Sequence, residues 1–332
     1  MAVDRSLLGG MIAQGQQVRN FEEACAQYLG FPDSVAVGSG TAALSLALQA
    51  LNFPAGAQAI VPTLVCGSVL TAVRDAGLIP ILCDVGSDWV MTPETVGAVW
   101  SSHVAVIILV HLFGIDAEVA KFTRFKVPIV EDCCQAFPER QQANDGQSAG
   151  RIAIFSFHAT KCLTTGEGGL LASDDPEVLL AARRLRDGSH HLARRLAAPM
   201  SDLQASLGLS QLSRYSSFVE KRLSLLSQYF KHLSGTRAVL PTTIKGRSSF
   251  FRFPVRVEEN AEDEHRRFAL QGIQVRRGVD AMLHRLTNLP SEHFDMAEKL
   301  FAQTVSIPLY PALTFHEADR IIEACHEIWR RK

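Results

Sequence analysis

The chain of 332 residues carries 33 Lys and Arg against 34 Asp and Glu, a net charge of −1, and 47% of it is hydrophobic. That is enough apolar material for one large core with a smaller unit beside it, and the charge is too even to give the footprint of a nucleic-acid binder. Seven cysteines show no CxxC or Cys/His spacing and only one adjacent pair, Cys133 and Cys134, so reduced thiols in the cytoplasm are expected and a metal site is not. His190 and His191, beside Gly188, have no third ligand in the pattern. The opening MAVDRSLLGGMIAQ lacks the apolar core of a secretory leader, and the most apolar run, AVIILV before His111, is too short to cross a bilayer, so no membrane partner is expected.

In chain order, FEEACAQYL from Phe21 has helical spacing and stops at Gly30 and Pro32. SVAV reads as a strand, GSG as a turn and TAALSLALQAL as an apolar helix beginning at Thr41. AQAIVPTL, LIPILCDV, VAVIILVHLFG and VPIVED follow as short apolar strands, with SVLTAVRDAG as a helix among them. Continuous apolar strands alternating with helices predict a mostly parallel sheet covered on both faces. RIAIF and GGLLAS add two more strands. The basic run LAARRLRDGSHHLARRL, residues 180–196, reads as a solvated helix face and loop, with contact to an anionic substrate as the alternative. From Met200 one long helical stretch, broken once, leads to FFRFPVRV and VSIPLY as strands, with DEHRRFALQGI and a C-terminal amphipathic helix completing an α+β unit.

Ligands of such sheets lie at the carboxyl ends of the strands. GSGTAAL, residues 38–44, places two glycines and the hydroxyls of Ser39 and Thr41 at a strand-to-helix turn. Its backbone can approach a phosphate closely there, and an ordinary glycine turn with a threonine cap is the alternative. Asp132 ends an apolar strand in IVEDCCQAF; it can pair with a protonated ring nitrogen, with Gln135 donating to the same ring, or it can cap the next helix. SFHATKCLTTGEGG, residues 156–169, sets Lys161 on a polar connection between two buried strands. A lysine held out of water gives up its proton more easily, as a nucleophile that forms an imine needs.

Phosphate turn, strand-end carboxylate and lysine come in the order one mechanism needs. With FEEACAQYLG, VPTLV, HLFG, ARRLRDG, SDLQASLGLSQL and SIPLYPALT, this set resembles the DegT/DnrJ/EryC1/StrS family of pyridoxal-phosphate-dependent aminotransferases of fold type I, most of which aminate nucleotide-linked keto sugars. The resemblance runs from about Gly9 to the C-terminus. It implies a large α/β domain, residues 1–215, with a mostly parallel seven-stranded sheet flanked by helices, and a smaller C-terminal α+β domain, residues 216–332. It also implies pyridoxal 5'-phosphate as cofactor, L-glutamate or L-glutamine as donor, a keto sugar as acceptor, and a homodimer with shared sites. By resemblance Lys161 forms the internal aldimine and serves as the general base. Asp132 then keeps the pyridine nitrogen protonated, and Gln135 meets the phenolic oxygen. Ser39, Thr41, the Ala42 amide and Ser156 bind the phosphate, with Gly40 in the same turn.

Some positions depart from the family pattern. Cys66 stands where an aromatic residue usually stacks on the cofactor ring, so a thiol is expected over that face. Ala197 and Ala198 replace an asparagine and a tyrosine, the asparagine being the one that reaches the neighbouring subunit's phosphate. The loop that often carries a substrate-side histidine is replaced around RRGVDAMLH, which makes His284, or the pair Arg276 and Arg277, substrate candidates. His111 is a further candidate for lining the cavity. His158, three residues before Lys161, can face the substrate or the neighbouring subunit, or be a buried histidine bonded to backbone. Lys161 and Asp132 are untouched by these departures, so catalysis is expected to persist with altered substrate choice. Dehydration, which in this family goes with histidine in place of the lysine, is disfavoured by Lys161. A non-catalytic cofactor-binding or scaffold protein is the reading that Cys66, Ala197 and Ala198 favour.

Overall fold

Seven short apolar runs of this chain pair into one sheet, because their side chains find apolar cover on both sides. The computed structural model describes residues 7–10, 12–137, 151–188, 199–241, 250–258 and 260–330. The strands are β1 (Asp33–Val37), β2 (Gln58–Pro62), β3 (Ile79–Cys83), β4 (Val104–Val110), β5 (Ile129–Asp132), β6 (Ile152–Ser156) and β7 (Gly169–Ser173), in the order β1-β7-β6-β5-β4-β2-β3. Pairing from β6 through β5, β4 and β2 to β3 is parallel, while β7 runs antiparallel to β6 and to β1. Every strand except β7 therefore points the same way, and their carboxyl ends share one edge.

Alternation along the strands explains the two covered faces. Val35, Val37, Ile152, Ile154 and Leu171 join the larger apolar cluster, while Ala36, Ala153, Phe155, Leu170 and Ala172 join the other. The helix Gly40–Ala50 is apolar nearly all round and buries Ala43, Leu44, Leu46, Ala47 and Leu48 in the larger cluster. The second face is closed by aromatic side chains: Phe21 meets Phe157 edge-on at 5.2 Å and Phe137 meets Tyr215 at 5.2 Å between ring centres.

The helix Gln16–Leu29 begins earlier than the apolar spacing predicts and ends at Gly30 in the left-handed conformation (φ 66°). Its early start has a long-range cause: Asp202 Oδ1 accepts the N–H groups of Gly15 at 2.9 Å and Val18 at 3.0 Å, capping it from a distant part of the chain. The stretch after Met200 breaks once, into Asp202–Leu212 and Tyr215–Leu233. Beyond it, β8 (Phe253–Arg256) and β9 (Thr304–Ile307) form an antiparallel pair, with helices Ala261–Leu270, Asp295–Gln303 and Phe315–Ile328 packed nearby. The larger apolar cluster runs from the seven-stranded sheet into these elements. Among the described residues no helix is long and apolar enough to cross a membrane.

Where it is described, the basic run at 180–196 is a solvated face only in part: Arg184 is exposed, but two other arginines turn to acidic partners. On the helix Pro176–Asp187, Arg186 is buried and its guanidinium donates to Glu22 Oε1 and to the Ala36 carbonyl. Arg183 donates to Glu22 Oε2 at 3.0 Å, to both oxygens of Asp33 at 2.7 Å and to the Ser34 carbonyl at 2.8 Å. Glu22 in turn accepts the Ala36 N–H at 2.7 Å. These side chains, with a bridge from Val37 to Pro199, cover the outer edge of β1 among the described residues. Residues 189–198, with His190, His191, Ala197 and Ala198, lie outside the described residues.

Removing one member of a buried ion pair strands the other, at a cost of about 3–5 kcal/mol. Glu22→Gln should therefore lower the thermal unfolding temperature clearly, whereas an unchanged melting curve would show that β1 does not rely on this network.

Candidate active site

The turn after β1 is made by Ser39, whose Oγ accepts the Ala42 N–H at 3.1 Å and whose backbone is extended; Ser39, not Thr41, caps the helix Gly40–Ala50. Gly40 sits where no side chain fits. A Cβ there would stand 2.8 Å from Cys134 Sγ and 2.8 Å from Ser156 Cβ. Gly169, the first residue of β7, lies so close beneath the turn that a Cβ would come within 2.1 Å of the Ser39 oxygen. The turn after β1, the turn after β5 and the end of β6 thus meet in van der Waals contact.

Asp132, buried at the end of β5, accepts the Cys134 N–H through Oδ1 at 2.9 Å, so it caps a tight turn rather than a helix. Burial pushes the Cys134 thiol well above its usual range; the Asp132 carboxylate adds to that and the Lys161 ammonium works against it, which places both charges around this sulfur. Lys161 follows a turn closed by its own N–H to the His158 carbonyl, at 2.9 Å, and its Nζ lies 5.2 Å over the Phe251 ring. Gln135 Oε1 accepts the Phe113 N–H at 2.7 Å, leaving its amide N–H groups free to donate. Glycine approach, the start of the helix Gly40–Ala50, three hydroxyls, a carboxylate and an amine together make a donor and acceptor set that fits pyridoxal 5'-phosphate.

The remaining candidates are placed differently. Cys66 is exposed at the start of the helix Gly67–Asp75, its thiol 3.1 Å from Ser68 Oγ. His158 is half exposed, with Nδ1 2.9 Å from Thr160 Oγ1 and accepting the Thr160 N–H at 3.3 Å, and Nε2 3.6 Å from Glu167, so it is bonded to backbone but not buried. His111 does not line an open cavity: it is buried, its Nδ1 accepts the Ala117 N–H at 3.2 Å, and Nε2 faces Glu131 at 3.3 Å. Its ring, Glu131 and the Cys133 thiol lie within 4.8 Å of one another, but the Ala117 bond puts the ring proton on Nε2, directed at Glu131, and Arg151 faces that carboxylate's other oxygen at 3.5 Å. The set is a hydrogen-bonded cluster.

His284 corrects the sequence expectation most clearly. It is fully buried, with Nδ1 2.7 Å from Thr63 Oγ1, Nε2 2.8 Å from Glu298, and the ring stacked on Phe294 at 4.4 Å; no atom is left for a substrate. Arg277 donates to Glu262 at 2.6 Å and stacks on Phe301, so it too is committed to structure. Arg276 pairs through its backbone with Ser306, and its side chain is exposed. Arg252, whose guanidinium lies 5.3 Å from the Phe251 ring, was missed in the sequence, where it reads as an alternate position of a strand.

A mostly parallel sheet with one reversed strand, carrying a lysine turn and a buried carboxylate at its carboxyl edge, is the build of a pyridoxal-phosphate-dependent transferase. The chain belongs to the DegT/DnrJ/EryC1/StrS aminotransferase family, whose model matches residues 1–326. It is an aminotransferase, and the enzymes of this family depend on pyridoxal phosphate. It is 28% identical over 353 residues to the dTDP-3-amino-3,4,6-trideoxy-alpha-D-glucose transaminase of Micromonospora megalomicea subsp. nigra, covering 98% of this chain and 93% of that one. It is 27% identical to the GDP-perosamine synthase of Caulobacter vibrioides, covering 95% and 90%. Among solved structures, S. venezuelae DesV in complex with a ketimine intermediate superposes with a TM-score of 0.91 at 27% identity, covering 100% of this chain and 94% of that one.

Gly40→Ala should force the two turns apart. The expected result is a loss of about 1–3 kcal/mol of stability, as for other overpacked sites, with at least tenfold weaker cofactor affinity by absorbance titration; unchanged affinity would show that this contact does not shape the site. A second outcome concerns acid. The Arg285 hydrogen bond, helped by His284 and Ser291, holds Glu298 down at about 2 from 4.5. A depressed carboxylate stabilises fully above its unfolded value and loses that stabilisation as pH falls toward the folded one. Glu298→Gln should therefore flatten the loss of stability between pH 4.5 and 2, measured by thermal unfolding at successive pH values.

Proposed function

We propose that this aminotransferase moves the amino group of L-glutamate, or of L-glutamine, to a keto sugar carried on a nucleotide, with Lys161 holding the cofactor and moving the proton. The observation that carries the reading is the contact of Gly40 with Cys134 and Ser156, which gathers the phosphate turn, the Asp132 turn and the strand before Lys161 at one place. The relatives named for dTDP- and GDP-linked sugars favour a nucleotide-borne acceptor.

Bound pyridoxal phosphate supplies an electron sink for the charge left on a substrate carbon. The chain's residues do the rest. Ser39, Thr41, Ser156 and the Ala42 amide, with the start of the helix Gly40–Ala50, hold the phosphate. Asp132 is set to keep a ring nitrogen protonated, and because its carboxylate matters most when charge develops, losing it should hurt chemistry more than binding. Gln135, oriented by Phe113, donates to the ring oxygen. Lys161 takes and returns the proton at the substrate carbon. Cys66 covers one ring face, and His158 stands at the approach to Lys161. Both are open to solvent in a single chain, which suits a site closed by a second copy in a homodimer. The seven free cysteines suit the reducing cytoplasm.

The test is spectroscopic. The protein loaded with cofactor should show a visible band that gives way to the amino form on adding L-glutamate. Lys161→Ala should abolish both the band and the response. Asp132→Asn should keep the cofactor while turnover falls by at least about a hundredfold, as expected when transition-state stabilisation is lost. Full activity in either variant would overturn the assignment.

A further inference from the structure

We infer that Arg252 is the seat for a substrate oxyanion, a carboxylate or a phosphate, in the cleft that opens beside Lys161. The inference rests on the transamination reading above. A cleft of about 390 Å³ lies between the end of β9 and the residues before β8, with Thr160, Arg222, Arg252, Gln274 and Tyr310 in its wall. It adjoins a hollow of about 490 Å³ that takes in Lys161 and shares Thr160, Arg222 and Tyr310 with it. Phe251 connects the two reactive positions: Lys161 Nζ lies 5.2 Å from its ring centre and the Arg252 guanidinium 5.3 Å from the same point. The amine and the guanidinium thus both border the Phe251 ring, one in the wall of each hollow.

The charge pattern of the cleft points to an anion. Arg183, Arg186, Arg237, Arg277 and Arg285 each face a carboxylate. Arg252, Arg222 and Arg276 face none among the described residues. Arg222 donates through one nitrogen to the carbonyls of Phe250 and Phe251 at 3.3 Å and Leu309 at 2.8 Å, and its buried Nε has no partner. Glu317 lines the far end, but its carboxylate accepts from the Thr314 N–H and hydroxyl at 2.8 Å. Burial, with Arg276 and Arg222 nearby, pulls the Arg252 guanidinium below its ordinary range. None of the three arginines has a carboxylate at ion-pair distance among the described residues, so they repel one another, and a carboxylate or phosphate binding across the fork of Arg252 relieves that repulsion.

Two arms separate the sources. With cofactor-loaded protein, the donor half-reaction is followed by the visible band against L-glutamate concentration, and anion binding by calorimetry with inorganic pyrophosphate. If the seat takes the donor's carboxylate, Arg252→Gln raises the KM for L-glutamate at least tenfold. If it takes a phosphate, the same change weakens pyrophosphate at least tenfold and leaves the glutamate KM alone. Arg276→Gln, at an exposed position, should shift the same arm by a smaller factor, which covers the case in which Arg252→Gln does not fold. Unchanged constants in both arms for both variants would overturn the inference. Failure of the parent enzyme to respond to any amino donor would instead overturn the transaminase reading, and the pyrophosphate arm would still test the seat.

Discussion

The site depends on one steric constraint, the absence of side-chain atoms at Gly40 and Gly169. Parallel strands set their carboxyl ends along one edge, but strand spacing alone leaves the connections free to splay. Here the turn after β1 drops onto Cys134 and Ser156, and β7 begins directly beneath Ser39. That contact goes with β7 running against its neighbours: entering the sheet at the carboxyl edge, it delivers the chain from Lys161 and Thr164 straight to the turn after β1. The reversed strand is what allows β1 and β6 to lie two positions apart while their ends touch a common turn.

The C-terminal part is tied to the same edge by polar bonds from loops that follow strands. Asp84, just after β3, accepts the N–H groups of Met296 and Ala297 at 3.0 and 2.9 Å and caps the helix Asp295–Gln303. Thr63, just after β2, joins His284 by side chain and accepts the Leu283 N–H through its carbonyl. Trp89 Nε1 donates to Thr304 at 2.7 Å. Each bond satisfies a group that burial would otherwise penalise, so the C-terminal part has one preferred seating on the sheet. Arg222 completes the arrangement by gathering three carbonyls at the wall of the cleft.

What was legible in the sequence was whatever is local. Strands announced themselves as apolar runs, the break in the long helix fell at Ser213 and Arg214, the glycine turn and Asp132 stood at strand ends, and Lys161 stood on the connection between two strands. Partner choice was not local. Glu22 and Arg186 are 164 residues apart, and nothing in LAARRLRDG says that one of its arginines is buried under an edge strand. His284 looked like a substrate histidine because a lone histidine in a loop carries no mark of Thr63, 221 residues away, or of Phe294 beneath it. The small helices Pro93–Ala98 and Leu283–Leu286 are too short for apolar periodicity to show. Arg252 was hidden by the opposite effect: in FFRFPVRV it fits the alternation of a half-buried strand, and its place in the cleft wall, with no ion pair among the described residues, shows only in three dimensions.

Phe113 joins the two halves of this argument. It adopts φ 58°, a conformation that carries about 1–3 kcal/mol of strain for a residue with a side chain and persists only where its surroundings over-determine it. Its N–H is taken by Gln135 and its carbonyl by the Phe251 N–H at 2.7 Å, while Gly278 leaves room for its ring. The next residue, Gly114, also has positive φ and is packed so closely that a Cβ would lie 2.8 Å from the Phe250 nitrogen. One strained turn therefore fixes Gln135 on the side of the sheet and Phe251 on the side of the cleft. Because Arg252 follows Phe251 directly, the backbone from which its side chain extends is placed by the same turn that orients Gln135.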